Sequence, residues 1–289
     1  MQQYQVSMGE PEVLEYPELQ TQIAKSVTIP VKKENIFAEP PDISAEAVIV
    51  IDKDSSAILF EKNADKQLYP ASITKVMTAL VALEKMSFDQ IVTIDEASEA
   101  VGNTIHLQKG EQIRVGELFK GLLIASGNDA AFALASAYPG GYNKFVERMN
   151  QKAKELHMDN TKFVSVSGVE EEDHMTTARD IATLVKEAMK QEVFAKTVSI
   201  RQTSIFDTAG AIVHPLYTTN QLLGTVKGVE GIKTGWTTQA GECLVTQTKR
   251  NDHTIITVVL NSQDRFSESK RFIEWAFAAH EWRYFRLED

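Results

Sequence analysis

The chain is 289 residues long, with 43% hydrophobic residues, 24% charged residues and a formal net charge of −10, the balance of an ordinary globular protein. That acidic balance argues against nucleic acid as the main partner, because phosphate backbones call for a basic surface, and it offers no polybasic patch to anionic lipid. The single cysteine, Cys243, rules out an internal disulfide, and no run of ~18 apolar residues marks a membrane span.

Residues 1–43 read as a flexible leader or tether. They mix Glu, Gln, Lys and Pro without periodicity and end in Glu39-Pro40-Pro41-Asp42, a composition that buries little surface. The first residues lack the basic and apolar regions of a signal peptide. If the protein works outside the cytoplasm, its export or anchor segment is expected to lie outside this chain.

Ala47-Val48-Ile49-Val50-Ile51 and Ala57-Ile58-Leu59-Phe60 read as two buried strands joined by a polar turn. From Ser72 to about Gln191 the pattern is mainly helical. Val115–Ile124 has helical spacing, Asp129–Tyr138 is alanine-rich and ends at Pro139-Gly140-Gly141, and Tyr142–Leu156 follows. Thr177–Met189 is the next helix, with Thr176 or Thr177 as N-cap. Phe163–Met175 before it is an irregular loop whose acidic run, Glu170-Glu171-Glu172-Asp173, reads as a solvated tip. From about Thr197 the period returns to strand. Val198, Ile200 and Ile205 mark one strand, Gly210–Val213 begins its return, and Gly231–Gly235, Cys243–Thr248 and Thr254–Leu260 give three more. Arg265–Ala279 closes as a helix.

Strands at both ends and helices between them predict an α+β fold: a mainly antiparallel sheet flanked by helices, with a helical subdomain inserted at about 72–195. Residues 44–289 are then one catalytic-size domain, with a cleft between sheet and helices.

Three short motifs fall on this layout. In Pro70-Ala71-Ser72-Ile73-Thr74-Lys75 a hydroxyl and an amine stand one helical turn apart. Serine needs a base to act as a nucleophile, and a lysine serves once burial or a second cation lowers its pKa. Ser126-Gly127-Asn128 presents a hydroxyl and an amide between two helices. Lys233-Thr234-Gly235 lies on a strand, where the lysine can hold a carboxylate and the glycine leaves room for an extended peptide to approach the edge. Each motif alone is common. Their order, Ser-x-x-Lys, Ser-x-Asn, Lys-Thr-Gly, is a set associated with acyl-serine chemistry.

On these residues the chain resembles the serine-type D-alanyl-D-alanine carboxypeptidases, the low-molecular-mass penicillin-binding proteins. Met149-Asn150, Met158-Asp159-Asn160-Thr161, Thr177-Ala178-Arg179-Asp180 and Gly228–Gly235 extend the likeness over about 47–277. The resemblance implies a penicillin-binding or β-lactamase-like fold and assigns roles. Ser72 is the acylated nucleophile, Lys75 its proton acceptor, and Ser126 a relay to the departing D-alanine. Asn128 holds the peptide, while Lys233 and Thr234, assisted by Arg265, bind its terminal carboxylate. Gly235 lies beside them, and the backbone N–H groups of Ser72 and Trp236 form the oxyanion hole. Trp236 stands where relatives carry histidine, and Phe163–Gly168 departs from the family's Asn-Pro-His-Gly type of segment.

The implied activity is removal of the terminal D-alanine from peptidoglycan stem peptides, outside the cytoplasm, with β-lactams as inhibitors and neither metal nor cofactor. The alternatives are a D-alanyl endopeptidase, a β-lactamase on the same scaffold and, from a different class, a catalytically inactive cell-wall-binding module.

Overall fold

The sheet at the centre of the molecule explains why its strands read as continuous apolar runs rather than as alternating ones. In the computed structural model, which describes residues 26–34, 38–169 and 172–286, both faces of that sheet are covered. The first strands are β1 (Ser26–Lys32), β2 (Ala47–Asp52) and β3 (Ile58–Lys62). A 3-10 turn over Ala71–Thr74 leads into α1 (Lys75–Lys85), followed by the short strands β4 (Ile91–Thr93) and β5 (Gln112–Arg114). Helices α2 (Val115–Ile124), α3 (Asn128–Ala137), α4 (Gly141–Glu155), α5 (Ala178–Ala188) and α6 (Glu192–Val198) make the helical part. The chain then forms β6 (Gln202–Phe206), β7 (Val213–Tyr217), β8 (Val229–Thr237), β9 (Gly241–Arg250), β10 (His253–Ser262), α7 (Arg265–Ala279) and β11 (His280–Arg286).

The main sheet has the order β3-β2-β10-β9-β8, with every neighbouring pair antiparallel. Alternation along β2 splits its side chains between two cores. Val48 and Val50 join Leu244, Ile255 and Val259 against Phe272, Ile273 and Ala276 of α7. Ala47, Ile49 and Ile51 point the other way, into the larger core shared with the helices. The α+β class, the antiparallel sheet and the helical part expected from sequence are all present.

Two expectations differ in detail. Val198 ends α6 and Ile200 follows it, so of the three residues assigned to one strand only Ile205 lies on it. Phe194 and Val198, one turn apart, are both buried in the core, and that packing overrides the strand preference of β-branched residues. Within the span read as a leader, Ser26–Lys32 is paired in register with His280–Arg286; residues 1–25 lie outside the described residues. Glu170 and Glu171 of the acidic run also lie outside them.

Thr177 is the cap of α5, its hydroxyl accepting from Asp180 N at 3.0 Å. No helix among the described residues is long and apolar enough to cross a membrane.

Candidate active site

The edge strand β8, the 3-10 turn before α1 and the α2–α3 connection meet around one cleft of about 630 Å³. Ser72, Ser126, Asn128, Thr234, Gly235, Trp236 and Arg265 line it. Lys75 and Lys233 stand behind that lining, each at most 1% exposed. All nine residues singled out in the sequence therefore converge on one place.

Ser72 lies in the 3-10 turn rather than inside α1, which begins at Lys75. Its Oγ is 2.8 Å from Lys75 Nζ. The same Nζ is 2.7 Å from Asn128 Oδ1 and 2.9 Å from the Ser167 carbonyl. Carbonyl oxygens only accept, so a neutral amine directs its two N–H bonds at these atoms and its lone pair at Ser72. Burial, then the charge of Lys233, pushes the Lys75 pKa well below the usual lysine range, against a smaller opposing pull from Asp129. The site thus favours the neutral amine that a serine nucleophile needs as its base.

Ser126 sits between α2 and α3 with φ at +62°, a left-handed conformation that aims its side chain at the sheet. Its Oγ accepts from Lys233 Nζ at 2.8 Å, and the same Nζ donates to the Thr234 carbonyl at 2.9 Å. Burial, then the neighbouring Arg265 cation, lowers the Lys233 pKa to about 7. Arg265 is fixed by its Nη1, which donates to the Gly235 carbonyl at 2.7 Å, and by its guanidinium stacking 4.8 Å from the centre of the Phe266 ring. Thr234 reaches the cleft beside Thr219, with their hydroxyl oxygens 2.6 Å apart.

Gly235 has a further structural reason. A Cβ there would lie 3.0 Å from Ala71 Cβ and 3.1 Å from both the Pro70 carbonyl and Ser72 N. The missing side chain lets the Ser72 turn press against β8, bringing the Ser72 backbone N–H close to the strand edge. Trp236, next along the strand, is 63% exposed at the rim.

The motif residues are held by partners that the sequence did not single out. Asn128 is pinned on its second side because its Nδ2 donates to Val101 O at 2.7 Å. Asp129, buried, accepts from Ile105 N at 3.1 and 3.0 Å and from Leu107 N at 3.1 Å, tying that loop to the start of α3. Gly168, with φ at +83°, packs so tightly that a Cβ would fall 1.8 Å from Ala71 O. His174 Nδ1 accepts from Val164 N at 3.0 Å and Ser165 N at 3.3 Å, and its Nε2 is 2.8 Å from Thr74 Oγ1. The histidine so links the 163–168 loop to the serine turn. Of these, Gly168 carried a hint, as the glycine that ends the 163–168 segment.

Glu172 and Asp173, the described part of the acidic run, are exposed and are not among the residues lining the cleft. Asp173 pairs with Lys162 at 2.8 Å.

Comparison with known proteins gives the same picture. The family model described as D-alanyl-D-alanine carboxypeptidase, peptidase S11, matches residues 34–264. D-alanyl-D-alanine carboxypeptidase DacF of Bacillus subtilis is 35% identical over 247 residues, covering 82% of this chain and 63% of that protein. A D-alanyl-D-alanine endopeptidase of Pseudomonas aeruginosa is 32% identical over 246 residues, covering 81% of this chain and 77% of its own. The crystal structure of a Streptomyces DD-transpeptidase superposes with a TM-score of 0.79 at 31% identity, over 83% of this chain and 99% of that one. The chain thus spans less than two thirds of the length of DacF. With a family match across most of its length and the three motifs gathered at one cleft, the chain belongs to the D-alanyl-D-alanine carboxypeptidase family.

Proposed function

We propose that this chain is a serine D-Ala-D-Ala carboxypeptidase that trims the terminal D-alanine from peptidoglycan stem peptides. One observation carries the reading: Ser72 Oγ has a buried lysine amine 2.8 Å away whose other two contacts are carbonyl oxygens. Such an amine is placed to take the proton of the hydroxyl.

In this reading the stem peptide lies along the free edge of β8 as an added strand. Its terminal carboxylate meets Lys233, Thr234 and Arg265. Ser72 Oγ attacks the carbonyl carbon between the two D-alanines and gives its proton to Lys75. The backbone N–H groups of Ser72 and Trp236 hold the developing oxyanion. Ser126, hydrogen-bonded to Lys233, relays the proton taken up by Lys75 to the departing D-alanine amine, which returns Lys75 to its neutral form, and Asn128 orients the peptide. The C–N bond breaks, a Ser72 ester forms, and water hydrolyses it. β-Lactams acylate the same serine. Residues 44–289 form the catalytic unit, with the helical insertion at about 72–195, and the substrate places its work outside the cytoplasm.

The endopeptidase reading uses the same residues and is favoured by two relatives named for that activity. A β-lactamase of the glutamate-and-water type has less support, since no acidic side chain is among the described residues lining the cleft.

The test pairs labelled penicillin with release of D-alanine from diacetyl-Lys-D-Ala-D-Ala. The parent chain is expected to form a long-lived penicillin adduct and to release D-alanine. Ser72→Ala is expected to lose both while keeping its circular dichroism spectrum. Labelling that persists in Ser72→Ala, or an adduct that turns over within seconds, removes this reading.

A further inference from the structure

The carboxylate end of the cleft holds a residue that none of the three motifs contains. Thr219 lies in the connection from β7 to β8 and lines the cleft. Its Oγ1 is 2.6 Å from Thr234 Oγ1, the hydroxyl that meets the terminal carboxylate in the proposed reaction. A threonine hydroxyl has one proton to give and lone pairs to accept with. Two of them bonded to each other share one proton and leave the second free. Which residue carries the free proton decides which one can donate to an anion.

The surroundings settle the direction. Lys233 Nζ donates to the Thr234 carbonyl at 2.9 Å, and Arg265 Nη1 donates to the carbonyl of the next residue, Gly235, at 2.7 Å. Thr234 thus stands between the two cations that draw the carboxylate in. The anion takes the proton of Thr234, so the shared bond runs from Thr219. The segment that carries Thr219 is anchored on both sides of it. Thr218 N donates to Arg201 O at 2.8 Å, Asn220 N donates to Thr218 Oγ1 at 3.2 Å, and Asn220 Oδ1 accepts from Leu222 N at 3.0 Å. Leu222, Leu223 and Val226 then bury themselves in the core under α7. On such a backbone the branched side chain of threonine has few rotamers open to it.

We infer that Thr219 is a positioning residue for the carboxylate contact. This rests on the carboxypeptidase reading above and deepens it. Thr219 Oγ1 donates to Thr234 Oγ1, which turns the Thr234 proton towards the substrate carboxylate. A hydroxyl that accepts one hydrogen bond donates a stronger one, so the pair also polarises that contact. Neither hydroxyl gives up its proton, and no bond of the substrate is made or broken there. Thr219 works through Thr234 and therefore acts on substrate binding rather than on the chemical step.

The experiment measures D-alanine release from diacetyl-Lys-D-Ala-D-Ala by the full chain and separates KM from kcat. Thr219→Val keeps the shape of the side chain and removes its hydroxyl. The expected result is a KM raised about five- to ten-fold, with kcat within about two-fold of the parent. Thr219→Ser, which restores the hydroxyl, is expected to bring KM back to within about two-fold of the parent. A double-mutant cycle with Thr234→Val gives a second measurement. In that background Thr219→Val is expected to change KM less than about two-fold, because the group it positions is gone. An unchanged KM in Thr219→Val overturns the inference. So does a kcat that falls as far as KM rises, a Thr219→Ser variant no better than Thr219→Val, or a full effect in the Thr234→Val background. A parent chain that releases no D-alanine is a different outcome, which removes the carboxypeptidase reading and this inference with it.

Discussion

Two buried lysines stand at this cleft with opposite duties in the proposed reaction, and their surroundings suit the difference. Lys75 is wholly buried and faces two carbonyls, which suits a neutral base. Lys233 is also buried, but its task in the proposed reaction is to meet a carboxylate as a cation. With a pKa of about 7 set by burial and by Arg265, it loses its charge as pH rises through neutrality. The KM for a D-Ala-D-Ala peptide is therefore expected to climb above about pH 7. Arg265→Leu removes the repelling cation, so the Lys233 pKa rises and the climb moves to higher pH, on top of a generally weaker KM. A pH–KM profile whose midpoint stays put in Arg265→Leu contradicts this coupling.

The same residues show what could be read in advance. Ser72, Lys75, Ser126, Asn128, Lys233 and Thr234 were legible because each belongs to a short motif whose residue types are chemically expensive to replace. Ser167, Thr219 and Asp129 were not. They reach the site through a carbonyl, a hydroxyl pair and a set of backbone N–H bonds, contacts that many residue types could make and that only the assembled fold brings together.

At the level of elements, the 163–168 loop matters more to the site than its irregular sequence suggests. His174 clamps it to Thr74, and burial lowers the pKa of that imidazole to about 4. The ring must stay neutral so that Nδ1 can accept from Val164 and Ser165. Between pH 6.5 and 4 the unfolded chain binds a proton at His174 that the folded one refuses. Stability from this group is thus complete above about pH 6.5 and falls as the pH drops towards 4, by on the order of 3 kcal/mol at most. Thermal denaturation across that range is expected to show a falling Tm in the parent and a flatter curve in His174→Asn, which starts from a lower Tm at pH 7. Parallel curves would exclude the histidine as the cause.

Elements also mark where pattern reading went astray. The long helices α2, α4 and α7 and the central strands of the main sheet were evident because each keeps one period over many residues. The pairs β4–β5 and β1–β11 were invisible. Three-residue strands carry no period, and β1 and β11 stand more than two hundred residues apart, so their pairing depends on where the sheet and α7 deliver the two ends.

Across the whole molecule, a sheet sandwiched between α7 and the helical part leaves only its β8 edge beside the cleft, and the motif carried by that edge is the one that meets the carboxylate in the proposed reaction. Two cores on opposite faces of one sheet also mean that a substitution at Phe272, Ile273 or Ala276, on the buried side of α7, is felt at the site through the strands, whereas Arg265 at the start of α7 acts there by contact. The β1–β11 ribbon closes the architecture. Trp282, opposite Pro30, pins it to the sheet by donating from Nε1 to Asp52 Oδ2 at 2.8 Å and by stacking on His253 with ring centres 4.6 Å apart.

That ribbon gives the molecule a mechanical fuse. Ser26 faces Arg286 at one end of the ladder, so tension applied through residues 26 and 286 opens the pairs one after another, like a zip, instead of shearing them together. The stretch from Ser26 to Ile29 peels from Arg286 to Arg283 before the Trp282 rivet is loaded. In an optical-tweezers experiment pulling at these two residues, a small low-force lengthening is expected ahead of the main rupture, with penicillin labelling intact between the two events. A single rupture with no precursor would show that strain reaches Ser72 undamped.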